Sequence, residues 1–437
     1  MKRFVIKGNI CYSSENKKLC VMKNGYVVCD DGICAGTYEE LPECYETFPC
    51  YDYSDKLIIP GFADLHVHAP QYSFRGLGMD LELLDWLNTH TFIEEAKYQE
   101  LDYAEKAYDI FAEDMLKSPT TRACVFGTIH NEATLLLMKK LENAGIKGFV
   151  GKVNMDRNSP EYICEESSEK SAEDTEAWIQ KAEKFENIRP IITPRFIPTC
   201  SDELMEKLSV LQKKYHLPMQ SHLSENFGEI QWVHELCPDT RFYGEAYDKY
   251  GMFGKRCPTV MAHCVHSTEE EIQLIKKNQV FIAHCPESNT NLSSGVAPVR
   301  KYLDLGIKVG LGSDVAAGSS LSMFKAMSMA IQCSKLRWRL LDQELAPLKV
   351  EEVFYMATRG GGEFFGKVGA FEKGYEFDAV VIDDSNLRHP QELGIKDRLE
   401  RMIYLADDRN VIAKFVNGNG FLRDKDGIKR TFFGGNQ

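Results

Sequence analysis

The stretch Pro60-Gly61-Phe62-Ala63-Asp64-Leu65-His66-Val67-His68 decides the fold. It is a short apolar run entered through a Pro-Gly turn, the pattern of a buried strand. On extended backbone, residues two apart project to the same side, so His66 and His68 form a same-side imidazole pair. Working outward from this run at 62–67, seven more follow at 123–126, 148–153, 190–196, 218–221, 259–262, 280–283 and 307–311. Helical or charged stretches such as 269–277 separate several of them. Short apolar runs alternating with helices read as βα units on a parallel sheet, and eight such units predict a (β/α)8 barrel.

The flanks read differently. Residues 1–60 carry β-favouring runs at 4–6, 25–28 and 57–59 and an Asp31-Gly32 turn pair. After a helical region at about 321–366, strand-like text returns at 377–382 and 413–416, the latter followed by Asn417-Gly418. Short terminal strands cannot bury a core separately. The expectation is therefore a composite β-sandwich domain of residues 1–60 and 370–437 beside a catalytic barrel of residues 61–369.

The 437 residues hold 52 Lys and Arg against 65 Asp and Glu, a formal net charge of −13. That balance repels phosphate backbones and argues against a nucleic-acid partner. No apolar run reaches the 18 or more residues of a membrane span, and no leader-like apolar stretch follows the first residues, so a cytoplasmic protein with no membrane partner is expected. Fourteen cysteines, six of them in the first fifty residues, form no Cys-x-x-Cys pair and read as reduced structural thiols.

Chemistry gathers at the carboxyl ends of the expected barrel strands, where barrels build active sites. His66 and His68 end the first, His222 the fifth, His263 the sixth and Asp314 the eighth. Imidazole and carboxylate suit Zn²⁺ or Fe²⁺, and a site with an open position can activate a water. Glu225, three residues after His222, is placed to shuttle a proton, and Asp314 to deprotonate the water.

These residues resemble a known family. The 60–68 stretch, His222-x-x-Glu225, the strand-terminal His263 and Gly312-Ser313-Asp314 together resemble the mononuclear metal-dependent amidohydrolase superfamily. The closer similarity is to its guanine deaminases, through Ala69-Pro70-Gln71-Tyr72, Thr193-Pro194-Arg195-Phe196, Ser221 to Asn226, His284-Cys285-Pro286 and Ser288-Asn289. The resemblance implies that His66, His68, His222 and Asp314 hold one Zn²⁺, Fe²⁺ being an alternative, with His263 beside the metal water. It implies Gln71, Arg195 and Phe196 at the purine, with His222, Glu225 and Asp314 also touching it, and a homodimer. The implied reaction is hydrolysis of guanine to xanthine and ammonia; separately from the resemblance, residues 79–91 are a conjectural moving lid over the pocket.

Two rivals remain at this level, deamination or dechlorination of another nitrogen heterocycle and a non-catalytic scaffold of the same fold. Three motifs are set aside. His130-Asn131-Glu132 lacks the downstream Pro-Cys-x-x-Cys of the other zinc deaminase fold. Gly361 to Lys367 has the P-loop glycines, but Val368 stands where Ser or Thr is needed. Lys152 ends the third strand, whereas a lysine bridging two metals belongs on the fourth, where Arg195 stands.

Overall fold

The structure, a computed structural model, describes residues 2–424 and 427–431. The end of the 370–437 segment, residues 425–426 and 432–437, and Met1 lie outside the described residues. Eight parallel strands form the barrel: Phe62–His68, Thr120–Phe126, Lys147–Gly151, Ile188–Pro190, Met219–Leu223, Thr259–His263, Phe281–His284 and Val309–Leu311. They pair in chain order from first to fourth and from fifth to eighth, with Leu311 beside Asp64 joining eighth to first. A parallel bridge between Ile192 and Met219 joins fourth to fifth and closes the ring.

Both faces of these strands are covered, which is why they read as continuous apolar runs and not as alternating ones. Leu65, Cys124, Ile191, Val260, Ala262, Phe281 and Ala283 fill the barrel interior. Val67, Val125, Met261 and Ile282 belong to the large core shared with the helices. The first strand carries one extra residue: Asp64 pairs with Ala123, yet Val67 pairs with Val125. Such a bulge shifts the alternation and re-aims side chains. It lets Leu65 fill the interior while His66 and His68 both project into the cluster above it.

The two termini share one eight-stranded sheet, whose order runs Gly427–Thr431, Asn419–Asp424, Val411–Val416, Ala379–Ile382, Cys50–Pro60, Phe4–Ser13, Leu19–Asp30 and Ile33–Tyr38. The halves meet where Ile58 pairs with Val381. Leu57, Ile59, Val380 and Ile382 face the large core, while Ile58, Val381, Phe4, Phe377 and Phe415 build a second one. Asp31-Gly32 and Asn417-Gly418 both turn hairpins with positive φ (54° and 83°, 46° and 73°), the turn geometry these dipeptides favour. Arg122 of the second barrel strand, almost wholly buried, ties barrel to sheet by donating to both oxygens of Asp378 at 2.6 and 2.9 Å. All fourteen cysteines are free thiols. No helix among the described residues is long and apolar enough to cross a membrane.

Candidate active site

Strand ends bring the histidines together. His66 Nε2 lies 3.1 Å from His68 Nε2, and His68 Nε2 lies 3.3 Å from His222 Nε2. Asp314 Oδ1 is 3.2 Å from His66 Nε2 and 3.5 Å from His68 Nε2. The last strand approaches closely because residue 312 is glycine: a Cβ there would stand 2.8 Å from both His66 Cβ and Cys285 Sγ. Asp314 (φ 48°) and His263 (φ 74°) sit in the left-handed region, a cost that non-glycine residues accept mainly at functional sites.

The donor set fits a cation. His222 Nδ1 donates to the Arg195 carbonyl oxygen at 2.7 Å, and His263 Nδ1 donates to Asn289 Oδ1 at 2.8 Å. Both rings therefore turn Nε2 inward, as metal-ligating histidines with a fixed second nitrogen do. His263 Nε2 is buried without a hydrogen-bond partner, an orphan that a water or ion would satisfy. Burial, then neighbouring imidazoles, hold His68 and His222 well below the usual histidine range, in the neutral form a metal needs. Burial alone would raise Asp314, but His66 and His263 outweigh it and hold the carboxyl at about 2. Asp64 braces the cluster from below, accepting from Ser313 N at 3.0 Å and His66 N at 3.2 Å.

Above the cluster lies a small pocket. His68, His222, His263 and Asp314 reach it, and Leu83, Trp86, Leu87, Phe196 and Leu292 give it apolar walls. Of the 79–91 segment, Leu83, Trp86 and Leu87 line the pocket. Glu225 points in with Oε2 3.3 Å from His263 Nε2 and Oε1 accepting from Ser294 Oγ at 3.2 Å. Burial, then the Asp314 charge, push its carboxyl up to about 8. Glu229, unnoticed in the sequence, lines the same cavity and is pushed up to about 7 by burial and then by Glu225.

Gln71 and Arg195 also line the cavity, but neither stands free. Arg195 donates to both oxygens of Glu95, at 2.6 and 3.1 Å, and Gln71 Nε2 donates to Glu95 Oε1 at 2.9 Å. Sequence reasoning missed Glu95 because it lies in a charged helical stretch, Phe92–Ala96, that reads as surface. Of the nine residues singled out, eight line the cavity, and His66 joins them through the cluster beneath. Lys152, by contrast, is buried away from the cluster in an ion pair with Glu165.

Imidazoles and a carboxylate on the ends of four barrel strands, under a small pocket, are the arrangement from which barrel enzymes build metal-assisted hydrolase centres. The chain belongs to the amidohydrolase family, which matches residues 57–420. It is 38% identical over 441 residues to the guanine deaminase of Dictyostelium discoideum, covering 95% of this chain and 97% of that one. It is 39% identical over 380 residues to the human guanine deaminase, covering 83% and 82%. Among solved structures, the guanine deaminase of C. acetobutylicum with guanine in its active site is 50% identical, with a TM-score of 0.93 over 96% of this chain and 99% of that one.

Proposed function

We propose that the protein is a guanine deaminase, hydrolysing guanine to xanthine and ammonia. The carrying observation is the pairing of a hydrolytic cluster with one small pocket whose polar groups, Gln71 and Arg195, suit the edge of an oxopurine. Similarity to a structure that holds guanine supports the same substrate.

His66, His68, His222 and Asp314 would hold one divalent ion, Zn²⁺ as first choice and Fe²⁺ as the alternative the donors also accept. When bound, such an ion supplies Lewis acidity and lowers the pKa of water to about 7. The chain's own groups do the rest. Water adds to the amino-bearing carbon and loses a proton to Asp314, which at about 2 is ionised. Glu225, still protonated at neutral pH, gives its proton to the adjacent ring nitrogen. The proton on Asp314 passes to the amino group, ammonia leaves, and the hydroxyl proton returns to Glu225. His263, held by Asn289, keeps Nε2 beside the incoming water. Phe196 walls the ring, and the 79–91 cover excludes bulk solvent.

The test is loss of guanine absorbance with xanthine and ammonia measured together, on protein of known metal content. Chelator-sensitive xanthine formation is expected. Faster ammonia release from another heterocycle would replace the substrate, and absence of both metal and turnover would favour a scaffold. Residues 1–60 and 370–437 as one β domain, a homodimer and a cytoplasmic location belong to the same proposal. The shared terminal sheet, the exposed Leu336, Leu340 and Leu341 at the end of helix Met323–Leu340, and fourteen free thiols support them in turn.

A further inference from the structure

We infer that Glu95 is the positioning residue of the substrate pocket. It fixes which hydrogen-bond donors Gln71 and Arg195 present, and it cancels the charge of Arg195 there. The inference rests on the purine reading of that pocket.

Glu95 is 1% exposed and sits on Phe92–Ala96, far in sequence from both partners. A carboxylate removed from water needs compensation, and here it has three donors: two nitrogens of Arg195 and Nε2 of Gln71. The consequence for Gln71 is geometric. With Nε2 bound to Glu95 and Oε1 accepting from Ala316 N at 3.3 Å, the amide cannot flip without breaking both bonds. It offers the cavity one remaining N–H and one remaining lone pair, in a fixed order. Arg195 is fixed from two sides, by the carboxylate and by the Phe92 ring 5.2 Å from its guanidinium carbon. Each terminal nitrogen carries two hydrogens and spends one on Glu95, so outward N–H groups remain for a carbonyl oxygen.

The second consequence is electrostatic. A buried arginine alone would favour anions, whereas the Arg195–Glu95 pair carries no net charge. The pocket therefore offers arginine donors suited to a neutral oxopurine without a standing preference for an anionic product. Glu95 touches neither the cavity nor the cluster, so it acts wholly through Gln71 and Arg195.

Glu95→Gln keeps the shape and removes the charge. The expected result is a fall in kcat/KM of roughly a hundredfold, the scale of a misplaced substrate, carried largely by KM. Metal content should stay at the wild-type level, and xanthine inhibition should strengthen relative to guanine affinity as pH rises and more xanthine is anionic. Glu95→Asp, which keeps the charge, should recover part of the loss. If Glu95→Gln loses metal or does not fold, Glu95→Asp carries the test, and wild-type kinetics in it would overturn the inference. So would kcat/KM within threefold of wild type in Glu95→Gln. If the wild type ignores guanine and turns over another heterocycle, the guanine reading fails, and the same comparison is made with that heterocycle. A crystal structure of Glu95→Gln is the arm that needs no turnover: Arg195 and Gln71 unmoved would overturn the inference by itself.

Discussion

Glu225→Gln should trade activity for stability, and the size of the trade follows from burial. The carboxyl is 3% exposed, accepts one hydrogen bond from Ser294 and faces the charge of Asp314. Those surroundings raise it from 4.5 to about 8. Between these values the unfolded chain has released the proton and the folded chain retains it, so the folded state binds more protons. Stability therefore falls as pH rises through the window and levels off above about 8. Each pH unit is worth about 1.4 kcal/mol, so 8 − 4.5 = 3.5 units set a ceiling of about 5 kcal/mol. Glutamine is neutral at every pH and escapes this cost. It also lifts the Glu225 charge from Glu229, which that charge helps push up to about 7.

The assay is urea unfolding of chelator-treated protein, wild type against variant, at pH 5, 7 and 9. The stability gap in favour of Glu225→Gln should be about 1 kcal/mol at pH 5, about 3 kcal/mol at pH 7 and about 5 kcal/mol at pH 9. A gap independent of pH would refute the reasoning. Turnover should move the other way, falling by roughly 10²- to 10⁴-fold with metal still bound, as expected on loss of a general acid. In the wild type the rate should decline as pH rises through about 8, because the proton to be donated is then gone.

Arg122→Met strands the carboxylate of Asp378, itself 2% exposed, with the Asn417 N–H at 2.8 Å still donating to it. A loss of about 3–5 kcal/mol is expected in urea titration, largely recovered when Asp378 is also replaced by leucine; a loss under 1 kcal/mol would show that barrel and sheet do not depend on this pair. Chelation should abolish turnover and lower stability by about 3–4 kcal/mol relative to protein holding metal at 100 to 1,000 times its Kd. His222→Ala should bind substoichiometric metal by elemental analysis and show no further loss on chelation.

The barrel and its histidine–aspartate cluster were legible because they follow local rules. Strand-end position and the two-residue spacing of His66 and His68 bring imidazoles together whatever the distant chain does, and Asp31-Gly32 and Asn417-Gly418 specify their own turns. What escaped depends on partners far away in sequence. Lys414 alternates within its strand like an outward-facing residue, yet it is fully buried, its Nζ donating to the carbonyl oxygens of Met115, Ser118 and Thr120 nearly three hundred residues earlier. Glu95 looks like one more acid in a charged helix, and only the segment that follows the fourth strand brings Arg195 against it. The two cases share a cause. A charge is hidden only when the fold supplies its complement, and that complement leaves no trace in the neighbouring sequence. The histidine–aspartate cluster announces itself through strand-end position and spacing, whereas Gln71 and Arg195 are held by scaffolding drawn from elsewhere. For this reason Gln71 and Arg195 stood out in the sequence as candidate purine contacts, while the carboxylate of Glu95 that holds them did not.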